Sequence, residues 1–310
     1  MANVLKVGLV GAGKFAGYHA QKIQASKIAE FIGIFDVRHA RAKTLCEQHK
    51  VASYATVDAL AANCDAVIIA CPASLHYAVA EALLERGCHL LVEKPLALSG
   101  KLANKLVSLT EKKALVLQVG HQERIVCQAF GLFDINDKPV SVDIVRANCP
   151  PEKGRAMDVN VIWDLMIHDL DLVHAMLGDT FEDMACEAAP HLGSEYDEAT
   201  ASFHVGQTRV NIRASRIAEK PDRRMELVYA SGSIRIDFLT RKLENTTPYK
   251  LVTDLSGQVA DPLMEADEMF FKACLGDGVP LVTGREGARA VATAETLTEY
   301  AMQSETELLD

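Results

Sequence analysis

Residues 5–16 read Leu5-Lys-Val-Gly-Leu-Val10-Gly11-Ala-Gly13-Lys-Phe-Ala16. An amphipathic stretch to about Ala25 follows, then Phe31-Ile-Gly-Ile-Phe35-Asp36. Strand, glycine turn, helix, second strand and terminal acid form the succession that separates a dinucleotide-binding fingerprint from a chance pair of glycines. Gly11 permits the tight turn, and Gly13 lets the backbone approach a pyrophosphate resting on the helix amino terminus. Ala16 keeps the third position small so that the helix packs closely on the strand. Lys14 and Phe15 lie in the same turn and are expected at the cofactor. Asp36 follows Gly11 by 25 residues, close to the distance of an acid that binds the adenosine ribose hydroxyls. Its carboxylate would repel a 2′-phosphate and favours NAD, while Arg38 and Arg41, either of which could reach a phosphate, leave NADP open.

The alternation continues outward from this stretch. Helical patterns cover about 38–49 and 56–62. Strand Ala66 to Ala70 ends at Cys71-Pro72, and a helix runs from His76 to Arg86. Strand His89 to Val92 ends at Glu93-Lys94-Pro95, a helix covers about 99–112, and strand Leu115 to Val119 ends at Gly120-His121. Strands alternating with helices make parallel βαβ units, a Rossmann domain over residues 1–121, whose ligands bind beyond the carboxyl ends of the strands. That topology collects Asp36, Cys71, Pro72, Glu93, Lys94 and His121 along one rim. His76, on the first turn of its helix, is a surface or capping residue or a contact on the nicotinamide side.

From about residue 122 the pattern changes. A helix is expected over 123–133 and a strand over 140–145. Alternating runs follow at 199–205, 209–215, 225–229 and 234–238, with Ser231-Gly232 as a hairpin turn, and closing helices lie at about 263–275 and 285–302. Successive strands without intervening helices predict an α+β domain over 122–310 with a large, mostly antiparallel open sheet. The chain is therefore α/β plus α+β.

Inside the apolar run 161–177, Asp164, His168 and Asp171 recur at steps of four and three. In an α-helix this spacing places them on one stripe, surrounded by Trp163, Leu165, Met166, Ile167, Leu170, Leu172 and Val173. A carboxylate and an imidazole in low dielectric require partners and often carry chemistry; a satisfied structural Asp–His pair is the plainer reading.

Composition limits the alternatives. A chain of 310 residues with 49% hydrophobic and 24% charged residues can build two cores. A net charge of −10 argues against a nucleic-acid surface. The one basic stretch, Arg209 to Arg224, reads as a solvated strand pair, or alternatively as a site for an anionic substrate group. Eight scattered cysteines without CxxC or zinc spacing point to a reduced, cytoplasmic protein and to no metal site. No apolar run is long enough to span a bilayer, and no signal peptide is read.

Glu93-Lys94-Pro95, Asp164-x-x-x-His168-x-x-Asp171, the opening turn through His19, and Pro280 to Val291 together resemble the Gfo/Idh/MocA oxidoreductases over essentially the whole chain. The resemblance implies NAD(P)-dependent hydride transfer at a secondary hydroxyl of a sugar, sugar nucleotide or cyclitol, in a site formed by both domains. It implies that Lys94 and His168 flank the reacting carbon, with Asp164 as third member. Arg124, Trp163 and Asp171 would contact substrate, and the bond before Pro95 would be cis. It also implies a homodimer or homotetramer assembled through the carboxy-terminal sheet. Where many members carry a glycine pair before the Asp-x-x-x-His helix, this chain has Val159-Asn-Val-Ile-Trp163. The stretch Val119-Gly-His-Gln-Glu-Arg124 resembles members that oxidise UDP-N-acetylglucosamine at C3. The chemistry agrees: histidine suits the base and lysine can stabilise a developing alkoxide. A non-catalytic dinucleotide-binding protein of this fold is the alternative, for which Lys94, Asp164 and His168 together have no use.

Overall fold

The computed structural model describes residues 4–150, 159–257 and 261–307, with side chains through Ser304. The chain divides into two compact units. One comprises residues 1–122 and 261–288, and the other 123–260 and 289–310.

The first unit runs β1 (Leu5–Val10), α1 (Lys14–Ala25), β2 (Ala29–Phe35), α2 (His39–His49), β3 (Ala52–Ser53), α3 (Val57–Ala61), β4 (Ala66–Ile69), α4 (His76–Glu85), β5 (His89–Val92), α5 (Gly100–Lys113) and β6 (Leu117–Val119). All pairings are parallel and the strand order is β3-β2-β1-β4-β5-β6, the doubly wound arrangement expected from the sequence. Strands buried on both faces need continuous apolar runs, and β4 supplies one, Ala66 to Ile69, with all four residues buried.

The second unit begins with α6 (Glu123–Phe130) and β7 (Ser141–Ala147). A π-helical turn, Ile162–Met166, then runs directly into α7 (Ile167–Leu177). Strands β8 (Phe181–Pro190), β9 (Tyr196–Val205), β10 (Thr208–Ser215), β11 (Asp222–Tyr229), β12 (Gly232–Asp237) and β13 (Lys242–Asn245) follow. The seven-stranded sheet has the order β13-β12-β11-β7-β10-β9-β8 and is antiparallel except between β7 and β10. One face is apolar and buried, with Val142, Ile144, Val210, Ile212, Met225, Leu227, Ile234 and Ile236. The opposite face is polar and paired within itself: Asn211 donates to Asp143 at 2.7 Å, Arg213 to Glu198 at 2.6 Å and Arg235 to Glu226 at 2.8 Å. Strands β8 and β13, the two edges, are absent from the sequence reading. The hairpin between β11 and β12 turns on Ala230 and Ser231, and Gly232 already pairs with Tyr229.

Two helices close the chain, α8 (Pro262–Cys274) and α9 (Gly284–Glu307). The sequence reading assigns 122–310 to one domain, whereas residues 261–288 cluster with the first unit. The cause is apolar: Phe270 and Phe271 of α8 are fully buried in the core formed by Leu5, Val7, Leu9, Ala16, Ala20 and Ile23.

Candidate active site

The glycine turn has the shape its residues predict. Gly11 has φ +110°, and a Cβ there would lie 2.4 Å from the Ala70 carbonyl oxygen, so no other residue fits. Gly13 caps α1 with extended backbone, is exposed, and has nothing within 4 Å of a built Cβ. The first turn of α1 carries no acidic residue and no side-chain cap, leaving its N–H groups available to an anion. Lys14 is exposed, Phe15 half-buried and Ala16 fully buried against β1. Asp36 accepts from the backbone N–H of Ala12 and of Arg38, both at 2.7 Å, which holds its carboxylate beside the turn. A pyrophosphate at the helix terminus and ribose hydroxyls at Asp36 suit this donor and acceptor set. The Arg38 and Arg41 side chains are exposed.

On the rim, Cys71 is half-buried and Pro72 exposed. The Lys94–Pro95 peptide is cis, as the resemblance implies, and Lys94 is half-buried. Two rim residues are placed differently from expectation. His76 is not at the surface but buried: Nδ1 lies 2.6 Å from the Pro95 carbonyl oxygen and Nε2 3.0 Å from that of Cys71. It ties the turn after β4 to the turn carrying Lys94, and burial lowers its pKa. Glu93 is turned inward, with its carboxylate against Gly120, where a Cβ would come within 2.5 Å, and 3.1 Å from His19 Nε2. His19 Nδ1 lies 2.8 Å from Asp267 of α8. Burial alone would discharge this imidazole. The charge and hydrogen bond of Asp267, then those of Glu93, outweigh it and raise its pKa to about 10. A buried imidazolium thus links the helix after the glycine turn, the segment before Lys94, and α8.

In the second unit the expected α-helical stripe is modified. Asp164 and Trp163 fall in the π turn, and α-helix resumes at Ile167, so the wider first turn changes where Asp164 points relative to His168 and Asp171. Asn160 supports the turn: its Oδ1 accepts from the N–H of Ile162 at 3.0 Å, and its carbonyl from the N–H of Asp164 at 3.0 Å. Trp163 is buried.

Glu123 of α6 holds the His168 imidazole, with Nδ1 and Oε2 2.9 Å apart. The sequence reading pairs His168 with Asp164 and misses Glu123. The glutamate sits within the quoted Val119–Arg124 stretch, but nothing in one sequence says that α6 packs on α7. Glu123 also accepts from Arg146 at 2.9 Å, and Arg146 makes a two-pronged contact with Asp169 at 2.9 and 2.8 Å. Burial opposes ionisation of Glu123, but His168 and Arg146 hold its carboxyl well below the usual range. Asp171 is fully buried, and both its oxygens accept from Arg124, at 2.8 and 2.7 Å. The two residues expected at substrate therefore bind each other and fasten α6 to α7; a substrate contact by Asp171 would require that pair to open. Among the described residues no group of three or more acidic, Cys or His side chains could hold a metal, and no helix is long and apolar enough to cross a membrane.

Residues 5–121 match the model of an oxidoreductase family with an NAD-binding Rossmann fold. A UDP-N-acetylglucosamine 3-dehydrogenase from Acidithiobacillus ferrooxidans is 34% identical over 77% of this chain and 76% of its own. Its solved structure superposes with a TM-score of 0.88 at 31% identity, covering 96% of this chain and 97% of that one. The myo-inositol dehydrogenase Hyg17 of Streptomyces leeuwenhoekii is 27% identical over 67% of this chain and 68% of its own. The chain belongs to the Gfo/Idh/MocA oxidoreductases, the NAD-binding Rossmann family. It is an enzyme, a dehydrogenase that exchanges hydride between a CH–OH group and a nicotinamide cofactor.

Proposed function

We propose that the enzyme oxidises the C3 hydroxyl of a nucleotide-linked amino sugar such as UDP-N-acetylglucosamine, with NAD as hydride acceptor. The reading of the site rests on one observation: His168, in an Asp164-x-x-x-His168 element, has its Nδ1 2.9 Å from a carboxylate held ionised by its surroundings. The choice of substrate is supported by similarity to the Acidithiobacillus enzyme over three quarters of the chain.

A carboxylate at Nδ1 favours the tautomer protonated there and leaves Nε2 as the base. His168 takes the hydroxyl proton, and the imidazolium that forms is stabilised by Glu123. Lys94 hydrogen-bonds the same oxygen and stabilises the developing alkoxide. Asp164 completes the catalytic group, and Trp163 lines the sugar side of the pocket. Gly11, Gly13, Lys14, Phe15, Ala16, Asp36, Arg38, Cys71 and Pro72 hold the dinucleotide, which when bound supplies the hydride acceptor. His76 and Glu93 act through the Lys94 segment. Asp36, held beside the glycine turn while the Arg38 and Arg41 side chains are exposed, favours NAD over NADP. That none of the eight cysteines forms a disulfide among the described residues supports a cytoplasmic protein, and the breadth of the seven-stranded sheet a homodimer or homotetramer assembled through it.

The test is NADH formation with UDP-N-acetylglucosamine, free N-acetylglucosamine and myo-inositol. Turnover of the nucleotide sugar is expected, and His168→Asn should lower kcat by roughly 10²- to 10⁴-fold with NAD affinity unchanged. Tight NAD binding with no turnover of any of the three would replace this reading by a dinucleotide-binding protein without catalysis. Preferred turnover of myo-inositol would move the substrate to the cyclitols.

A further inference from the structure

We propose that Arg223 is an anion-binding residue of the substrate site and takes an oxyanion carried by the sugar, a phosphoryl group or a carboxylate. This deepens the function proposed above and rests on His168 marking that site.

The first argument is register. Arg223 of β11 stands directly opposite Arg146 of β7, and the alternation along β11 puts it on the same sheet face as buried Met225 and Leu227. Like charges directly opposite across a strand pair destabilise a sheet, so this pair needs a compensating reason.

Arg146 has one. Asp169 takes two of its nitrogens and Glu123 a third. Arg223 is not treated alike. Its Nε is buried and has no hydrogen-bond partner among the described residues, and the contact it does make is long, 3.4 Å from Nη2 to Asn148 Oδ1. Glu123, Asp169 and Asp164 act on it through their charge, while burial and Arg146 disfavour its charged form. A half-buried guanidinium with an unused donor is costly to keep unless something else satisfies it.

Other arginines of the basic stretch do have partners. Arg213 pairs with Glu198, Arg216 with Asp197 at 2.5 Å, and Arg224 with Asp222 at 2.6 Å. Arg223 differs from these, and it lies in the same charge cluster as Glu123, the carboxylate that holds His168. A planar fork with a free Nε suits two-pronged capture of an oxyanion. Cyclitols and uncharged free sugars carry no such group, so Arg223 sorts substrates by charge.

The experiment compares the wild type with Arg223→Gln, Arg223→Lys and His168→Asn. UDP and glucuronate binding is measured by calorimetry, and kinetics with UDP-N-acetylglucosamine, glucuronate and uncharged N-acetylglucosamine. Arg223→Gln should weaken binding of at least one anion and raise its KM roughly 10- to 100-fold, with kcat within a few-fold of wild type and the uncharged sugar unaffected. The anion that responds identifies the oxyanion. Arg223→Lys, which keeps the charge and loses the fork, should recover only part of the loss. Thermal stability of Arg223→Gln should equal or exceed wild type, because a like-charge pair has gone; if it does not fold, Arg223→Lys carries the comparison. Unchanged binding of both anions, or an equal loss with the uncharged sugar, overturns the proposal. Full turnover by His168→Asn would instead sink the assignment of the base, whatever Arg223 does to anion binding.

Discussion

His168 and its neighbours show how far single residues could be read. Histidine within an apolar run was a sound pointer, because a buried imidazole needs a partner; which partner depended on helix packing that no local pattern encodes. Glu123 came from α6, immediately before Arg124, whose own partner is Asp171. Glu123→Gln should therefore lower kcat/KM by roughly 10- to 100-fold through loss of the tautomer preference, and leave NAD affinity unchanged. An undiminished rate would return the orienting role to Asp164. Asp36 was legible from spacing alone, since the fingerprint fixes its place at the end of β2. Asp36→Ala should raise the KM for NAD and narrow the preference over NADP, measured as the ratio of the two kcat/KM values. A ratio unmoved by the substitution would show that Asp36 does not discriminate.

Elements were legible where one physical signal dominated. The parallel strands announced themselves as apolar runs ending in turns, except the two-residue, exposed edge strand β3, which the sequence reading lacks, and β9 to β12 by alternation. Edge strand β8 did not, because only Cys186 along it is well buried and a bulge between Glu182 and Ala185 breaks its period. The π turn was hidden for the opposite reason. Ile162, Trp163, Leu165 and Met166 are all buried, so periodicity had no exposed side from which to count. Neither could the sequence show that His19 is gripped between Glu93 and Asp267 from elements far apart in the chain. Removing the imidazole strands two carboxylates in the interior, with Lys22 the remaining nearby cation acting on Asp267. His19→Ala should cost about 3–5 kcal/mol in chemical denaturation. Because the folded pKa lies above the unfolded one, near 6.5, the stabilisation from His19 is complete below about pH 6.5. It is lost as pH rises through about 10. Wild-type Tm should fall across that window more steeply than that of His19→Gln; parallel slopes would refute a charged clamp.

At the scale of the whole molecule, the boundary near residue 122 was legible as a change of pattern, and the return of residues 261–288 to the first unit was not. Helical periodicity gives α8 its apolar face without saying which core receives it. A fragment of residues 1–122 lacks Phe270, Phe271 and Asp267, so it should show near-native far-ultraviolet dichroism but little near-ultraviolet signal. Joining residues 261–288 through a flexible linker should restore a cooperative transition. A well-folded 1–122 fragment would mean that α8 is dispensable. The proposed assembly through the seven-stranded sheet would have a signature as well. Its polar face offers charges such as Arg213 and Arg235 instead of an apolar patch, so an oligomer built there should dissociate as salt rises, by light scattering.

The late arrival of α8 bears on how the protein is made. The last strand of the parallel sheet leaves the ribosome roughly 140 residues before the helix that completes its core. At about 5–20 residues per second, that leaves the nascent sheet with an open apolar flank for about seven to thirty seconds. Synthesis of this enzyme should consequently depend on chaperone capture of the growing chain more than its size alone suggests. A permuted gene that encodes α8 ahead of β1 should shorten that dependence.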